Sequence, residues 1–243
     1  MALVTGASSG IGREIVRELA RLGLRVAFCA RRQARLESLA RELSEQADAQ
    51  ALPLVCDLRD EDQIARMFAQ LREAWGGVDV LVNNAGFARA ARLLDGASAD
   101  WRAILELNVL ALAICSREAV ADMRRRGVDG HVFNISSMAA HRVPVGSAMY
   151  SASKYAVRSL TEGLRGELRA IESPIRVTAI SPGFVETEFA LAMSGDPERA
   201  RRTYARFPCL QAEDIARAVS FALEAPAHMQ VHDMLIRPTQ QPL

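Results

Sequence analysis

Ala2-Leu3-Val4-Thr5-Gly6-Ala7-Ser8-Ser9-Gly10-Ile11-Gly12 is the stretch whose reading decides the fold. A short strand-like run meets a turn holding three glycines, and a helical pattern over Ile11–Leu22 comes next. Such glycines permit a tight turn, close approach of backbone to a pyrophosphate, and close packing of helix on strand. The opening helix adds free N–H groups and the positive end of its dipole. Strand, turn and helix in this order point to a dinucleotide site built from Gly6, Ser8, Ser9, Gly10, Ile11 and Gly12. The spacing is Gly-x3-Gly-x-Gly rather than the commoner Gly-x-Gly-x2-Gly. A glycine turn by itself is also ordinary loop chemistry, so the reading needs support from the rest of the chain.

Outward from this turn the chain alternates. Strands are expected at Ala2–Thr5, Arg25–Cys29, Ala51–Cys56, Val78–Val82, His131–Ile135, Ile175–Ile180 and Val231–Arg237. Helices are expected at Ile11–Leu22, Arg32–Ala47, Glu61–Trp75, Trp101–Arg126, Ser147–Glu172 and Ala212–Leu223. Strands alternating with helices of this length predict a parallel sheet covered on both faces. Several strands are continuous apolar runs, as doubly covered strands should be. The fold class is therefore α/β: a single-domain, Rossmann-like, doubly wound fold with a seven-stranded parallel sheet and helices on both faces. No repeat or linker divides residues 1–243, which read as one dinucleotide-binding catalytic domain. Glu188–Pro208 has a different texture and is expected to be a mobile substrate flap with one short helix.

Composition narrows the partners. The chain is 50% apolar and 24% charged, with 30 basic residues against 29 acidic. A net charge of +1 gives no reason to expect nucleic acid or an anionic membrane. Arg124-Arg125-Arg126 reads as a solvated helix end. Cys29, Cys56, Cys115 and Cys209 form no Cys-x-x-Cys pair and no metal-ligand spacing with a histidine, so free thiols and no metal are expected. No apolar run is long enough to cross a membrane, and no leader pattern is seen. Cytoplasm is the expected location.

Two details refine the chemistry. An NAD site usually carries an acidic residue after its second strand, roughly 20 residues beyond the turn. Here Ala30 stands at that place, followed by Arg31 and Arg32. A guanidinium suits a 2′-phosphate, so NADP(H) is favoured over NAD(H), with Arg31 as the phosphate contact and Arg32 as a stack over adenine. Both arginines could equally be surface residues at a helix start. The second detail is that 29 of the 30 basic residues are arginine and one is lysine, Lys154. A compact, tunable ammonium does what a planar, permanently charged fork cannot.

Thr5-Gly6-Ala7-Ser8-Ser9-Gly10-Ile11-Gly12, Asp57-Leu58, Asn83-Asn84-Ala85-Gly86, Asn108, Ser136-Ser137, Tyr150-x3-Lys154 and Pro182-Gly183 together resemble the short-chain dehydrogenase/reductases. Seven motifs in register are far more specific than any one. His141-Arg142-Val143, Thr161 through Arg165, Val185-Glu186-Thr187 and the tail from Pro226 to Thr239 further resemble a branch of NADP-dependent keto-steroid reductases and insect farnesol dehydrogenases.

Tyr150 and Lys154 lie four apart, on one helix face. An ammonium and an oxidised nicotinamide would both favour phenolate and lower the phenol toward working pH. Taken alone, the pair could be an ordinary surface contact; with the lone lysine and the upstream serine it reads as catalytic. The resemblance implies that Tyr150 is the acid/base, that Lys154 tunes it and holds the nicotinamide ribose, and that Ser137 (with Ser136 as runner-up) orients the carbonyl. It implies that Asn108 breaks its helix and holds a water that joins Lys154 to solvent. It also implies that Asp57 and Leu58 meet adenine, that Asn84, Ala85 and Gly86 pass beneath the adenosine ribose, and that Pro182, Gly183, Val185 and Thr187 meet the carboxamide. Each of these supporting positions could also be plain turn chemistry. His141 is expected to be a locally bonded loop residue and Tyr155 a packing residue.

The expected function is NADP(H)-dependent interconversion of a carbonyl and a secondary alcohol. Phe189, Met193, Tyr204 and Phe207 in the flap suggest an apolar substrate, with a steroid or isoprenoid implied by the branch. Rivals are a small ketone or aldehyde reductase, a non-catalytic NADPH sensor, and an epimerase or dehydratase on the same fold. Apolar faces on the two long helices predict a homodimer or homotetramer.

Overall fold

The computed structural model describes residues 1–47 and 49–242. Seven strands form one parallel sheet: β1 Ala2–Thr5, β2 Val26–Ala30, β3 Ala51–Val55, β4 Val80–Asn83, β5 His131–Ile135, β6 Arg176–Pro182 and β7 Asp233–Ile236. Their spatial order is β3-β2-β1-β4-β5-β6-β7. The chain winds outward from β1 to β3, then returns to place β4 on the other side of β1. Strand order therefore reverses between β1 and β4, and a crevice opens there at the carboxyl ends of the strands, where open α/β sheets bind ligands.

Two apolar layers sandwich the sheet. On one face α1 (Gly10–Arg21), α2 (Gln33–Ala47) and α9 (Ala212–Leu223) bury Ile15, Leu19, Leu36, Leu39, Ile215 and Val219. On the other, α3 (Glu61–Trp75), α5 (Ala111–Arg126) and α6 (Ala148–Ala170) bury Phe68, Leu71, Cys115, Met123 and Leu168. Burial of β1, β2, β4 and β5 along their whole length explains why they carry no alternating pattern. Asp60 caps α3 by accepting from the Gln63 N–H, and Gly76 ends it at φ +85°.

Three expectations change. Trp101–Arg126 is not one helix: α4 (Ser98–Leu105) passes through a π-helical turn, Glu106–Leu110, into α5. The flap holds two helices, α7 (Phe189–Ser194) and α8 (Pro197–Tyr204). Gly195 at φ +67° stops the first, and Asp196 caps the second by accepting from the Glu198 and Arg199 N–H groups. Finally, Arg126 is not solvated. It donates to the Val78 carbonyl and to Asp79, which fixes the entry to β4.

Candidate active site at the carboxyl edge

The glycine turn sits at the crevice between β1 and β4. Thr5 stitches the two strands there. Its hydroxyl donates to the Val82 carbonyl and accepts from the Asn84 and Ala85 N–H groups, both at 3.0 Å. The Asn84 amide donates to the carbonyls of Thr5 (2.8 Å) and Gly6 (3.2 Å). Backbone is packed so tightly that side chains would not fit. A Cβ on Gly6, whose φ is +69°, would lie 2.7 Å from Ala85 Cα. A Cβ on Gly12 would collide with Asn84 Nδ2 and lie 2.6 Å from the Gly6 carbonyl oxygen. Ser9, the residue before α1, makes no side-chain cap, so the first N–H groups of the helix keep their donors for a ligand. These features fit a bound diphosphate.

The two arginines after β2 have different protein neighbours. Arg32 turns onto the glycine turn, donating to Ser8 Oγ and Ser9 Oγ, each at 2.7 Å. It also donates to Glu188 Oε2 at 3.0 Å, while Arg35 pairs with Glu188 Oε1 at 2.7 Å. The guanidiniums of Arg35 and Arg32 hold the Glu188 carboxyl down at about 2. Arg31 is exposed, and Asp57 is held below the usual carboxylate range by its hydrogen bonds to Arg59, with a smaller contribution from Arg31. Asp57 pairs with Arg59 at 2.7 Å and Leu58 is buried.

Tyr150, Lys154 and Ser137 come together. Lys154 is 5% exposed, and its Nζ donates to the Ile135 carbonyl at 2.9 Å. The same Nζ lies 5.8 Å from the Tyr150 ring centroid. Burial pulls the ammonium down to about 8. Burial pushes the Tyr150 phenol up to about 12, with the Ser137 hydroxyl acting in the opposite direction. The protein alone thus does not lower the phenol as expected, because desolvation outweighs the Ser137 hydrogen bond. Ser137 opens a short 3-10 turn, Met138–Ala140, and its Oγ accepts from the Ala139 N–H. The Ser136 hydroxyl is buried without a hydrogen-bond partner, away from the phenol's partner set.

Asn108 occupies the π turn and is 1% exposed. Its Oδ1 accepts from the Phe87 N–H, and its Nδ2 donates to the Phe87 carbonyl and to Ser153 Oγ. The amide is thus fully engaged with Phe87 and Ser153. Asn108 and Lys154 meet at Gly86, where a Cβ would lie 3.3 Å from Asn108 Oδ1 and 3.6 Å from Lys154 Nζ.

The far wall is built from β6 and the loop beyond it. Pro182 ends β6, and the Gly183 N–H donates to the Ile236 carbonyl. The buried Gln241 carbonyl oxygen accepts from the Phe184 N–H. Val185 is buried and bridges to Leu210. The Thr187 hydroxyl accepts from the Phe189 N–H, and its methyl lies against Gly10. Phe189 packs on Tyr150 with ring centroids 5.7 Å apart. Phe207 is buried edge-on against Phe184, so it is core rather than cleft. Tyr204 accepts from the Ala190 N–H and braces α7. His141 is bonded locally through its backbone N–H, which donates to the Met138 carbonyl, while its ring Nε2 lies 3.3 Å from Asp233 in β7. Tyr155 is exposed rather than packed. Sequence reasoning missed Glu188, Arg35 and Gln241, which reach the site from 153 residues away in one case and from the chain's last residues in the other.

Residues 1–197 match the family described as short chain dehydrogenase. The chain belongs to the short-chain dehydrogenase family. It is 49% identical to dehydrogenase/reductase SDR family member 11 of Bos taurus over 246 residues, spanning 99% of this chain and 96% of that one. It is 42% identical to farnesol dehydrogenase of Aedes aegypti over 242 residues, covering 98% of this chain and 95% of that one. The solved structure of the closed form of serine dehydrogenase complexed with NADP+ superposes with a TM-score of 0.93 at 33% identity, covering 100% of this chain and 96% of that one. Family membership and branch resemblance therefore both hold.

Proposed function

We propose that this chain is an NADP(H)-dependent oxidoreductase that interconverts a carbonyl and a secondary alcohol. The observation that carries the reading is the meeting of Tyr150, Lys154 and Ser137 at the same strand edge as the phosphate cradle. When bound, the nicotinamide supplies or removes the hydride. Gly6, Ser8, Ser9, Gly10, Ile11 and Gly12 would hold its diphosphate through backbone N–H groups. Arg31 and Arg32 would hold the 2′-phosphate end, Asp57 and Leu58 would border adenine, and Asn84, Ala85 and Gly86 would take the ribose. Pro182, Gly183, Val185 and Thr187 would meet the carboxamide.

In reduction, Tyr150 donates its proton to the substrate oxygen. A phenol held up at about 12 is protonated at neutral pH, which is the form an acid needs. Ser137 donates a hydrogen bond to that oxygen and stabilises charge developing there. Lys154 holds the ribose hydroxyls and attracts the phenolate left behind. Asn108 fixes the π turn against Phe87 and so positions the proton route behind Lys154.

Phe189 beside Tyr150 supports an apolar substrate, such as a steroid or isoprenoid, enclosed by a flap over residues 188–208. No helix among the described residues is long and apolar enough to cross a membrane. Four free cysteines, three of them buried, support a reducing compartment such as cytoplasm. Leu105, Leu110, Tyr155 and Leu160 are exposed on neighbouring helices and support a homodimer or homotetramer. The test follows NADPH absorbance with apolar ketones and with small ketones and aldehydes. Turnover by the wild type and not by Tyr150→Phe supports the enzyme, and the preferred panel separates apolar from small substrates. Equal inertness of both proteins, with NADPH bound, establishes the sensor instead.

A further inference from the structure

Glu188 is not part of the family resemblance, yet it joins two elements across the crevice. It stands at the start of α7, one residue past Thr187, which lies against Gly10. Its carboxylate pairs with Arg32 at 3.0 Å and Arg35 at 2.7 Å. Arg32 is at the same time bonded to Ser8 and Ser9 of the glycine turn. The carboxylate therefore sits among the hydroxyl and guanidinium donors assembled at the ribose end of the cradle, and it supplies the anion that those donors attract. All three charged side chains are between 44% and 49% exposed, so the cluster is open to solvent and to an incoming anion.

We propose that Glu188 is a built-in competitor for the 2′-phosphate of NADP(H), and that it sets how strongly the enzyme prefers NADP(H) over NAD(H). The inference rests on the reading of Arg32 as part of the 2′-phosphate site. A phosphate dianion placed on Arg32 and Ser8 either displaces the carboxylate or lies beside it. Displacement breaks two ion pairs, and proximity sets like charges together. NAD(H) carries a hydroxyl at that position and leaves Arg32–Glu188–Arg35 intact. The cost therefore falls on the phosphorylated cofactor alone. Displacement would also release the start of α7, so that the phosphate, rather than the nicotinamide, would unfasten this end of the flap.

The test is calorimetric binding to the full chain, so that no turnover is required. The ligands are 2′,5′-ADP, 5′-ADP, NADP+ and NAD+, and the proteins are wild type, Glu188→Gln and Arg32→Gln. Glutamine keeps the length and hydrogen bonding of Glu188 and removes its charge. The expected result is that Glu188→Gln binds 2′,5′-ADP and NADP+ roughly 1.5-fold to fivefold more tightly, the range of an exposed charge pair. Affinity for 5′-ADP and NAD+ should stay the same. Equal changes for both ligand classes, or weaker binding of the phosphorylated ones, overturn the proposal and make Glu188 a support for Arg32. Wild type and Arg32→Gln test the arginine reading by itself. If neither discriminates 2′,5′-ADP from 5′-ADP, that reading fails and the proposal falls with it. If wild type discriminates, Arg32→Gln does not, and Glu188→Gln matches wild type, only the proposal fails.

Discussion

Thr5 and Glu188 lie on opposite sides of one crevice and make bonds of different kinds. Thr5 is 2% exposed and ties β1 to β4 through main-chain partners. Glu188 is half exposed and ties the flap to α2 through guanidiniums. Buried hydrogen bonds to backbone resist salt and hold their geometry, whereas exposed ion pairs are screened and exchange with water. The floor of the site is thus built to stay in place, and the roof is built to let go. The proposed catalysis, by a fixed acid under a movable cover, would use that division.

The comparison can be broken most severely at the acid. Tyr150→Phe should lower kcat by about 10²- to 10⁴-fold while NADP+ still binds, as measured by NADPH turnover and calorimetry. Comparable loss of cofactor binding would mean that the phenol is part of the floor's framework rather than its chemistry.

Next comes Lys154, through pH. Its charge is present below about 8 and lost above, so reductive kcat/KM should fall as pH rises through about 8. The sign for stability is opposite. An unfolded lysine keeps its proton to about 10.5, so between about 8 and 10.5 the unfolded chain binds more protons than the folded one. This group's contribution to stability therefore rises with pH across that window, by a few kcal/mol in order of magnitude. Lys154→Met should raise the melting temperature more at pH 7 than at pH 10 and abolish turnover at both.

A smaller effect is expected in the floor. Thr5→Ala leaves the Asn84 and Ala85 N–H groups without their acceptor, which should cost about 1–3 kcal/mol in denaturant unfolding. The smallest concerns the roof. Raising salt to about 0.5 M should quicken proteolytic cleavage within residues 188–208 and leave the global unfolding midpoint almost unchanged, because screening acts on exposed pairs. Cleavage insensitive to salt would show that apolar packing of α7, through Phe189 on Tyr150, holds the flap instead.

Much of the floor was legible in the chain. β1, β5, α3 and α9 begin and end where the pattern places them, because Asp60, Gly76, the glycine turn and continuous apolar runs mark their limits. The spacing of Tyr150 and Lys154 was legible for the same reason: a helix puts residues four apart on one face. Their electrostatics were not, since burial depends on everything packed around them and spacing says nothing of it. The π turn escaped because its residues keep a helical pattern, and only the amide of Asn108 disturbs it. The second flap helix is written in Gly195-Asp196-Pro197, a stop followed by a cap and a proline in the first turn, but the polarity of these residues gives them the texture of a loop. Glu188 carried no local signal. Its partners are 156 and 153 residues away, and no periodicity links them.

The solitary Lys154 has one more consequence. A reagent directed at side-chain amines has a single target in this protein, and that target faces the catalytic crevice beside Gly86. With its proton held only to about 8, this amine becomes nucleophilic under milder alkaline conditions than a surface lysine would. Covalent labelling thus has a natural address at the heart of the site, and the extent of labelling would serve as a direct gauge of how much of that space a ligand has filled.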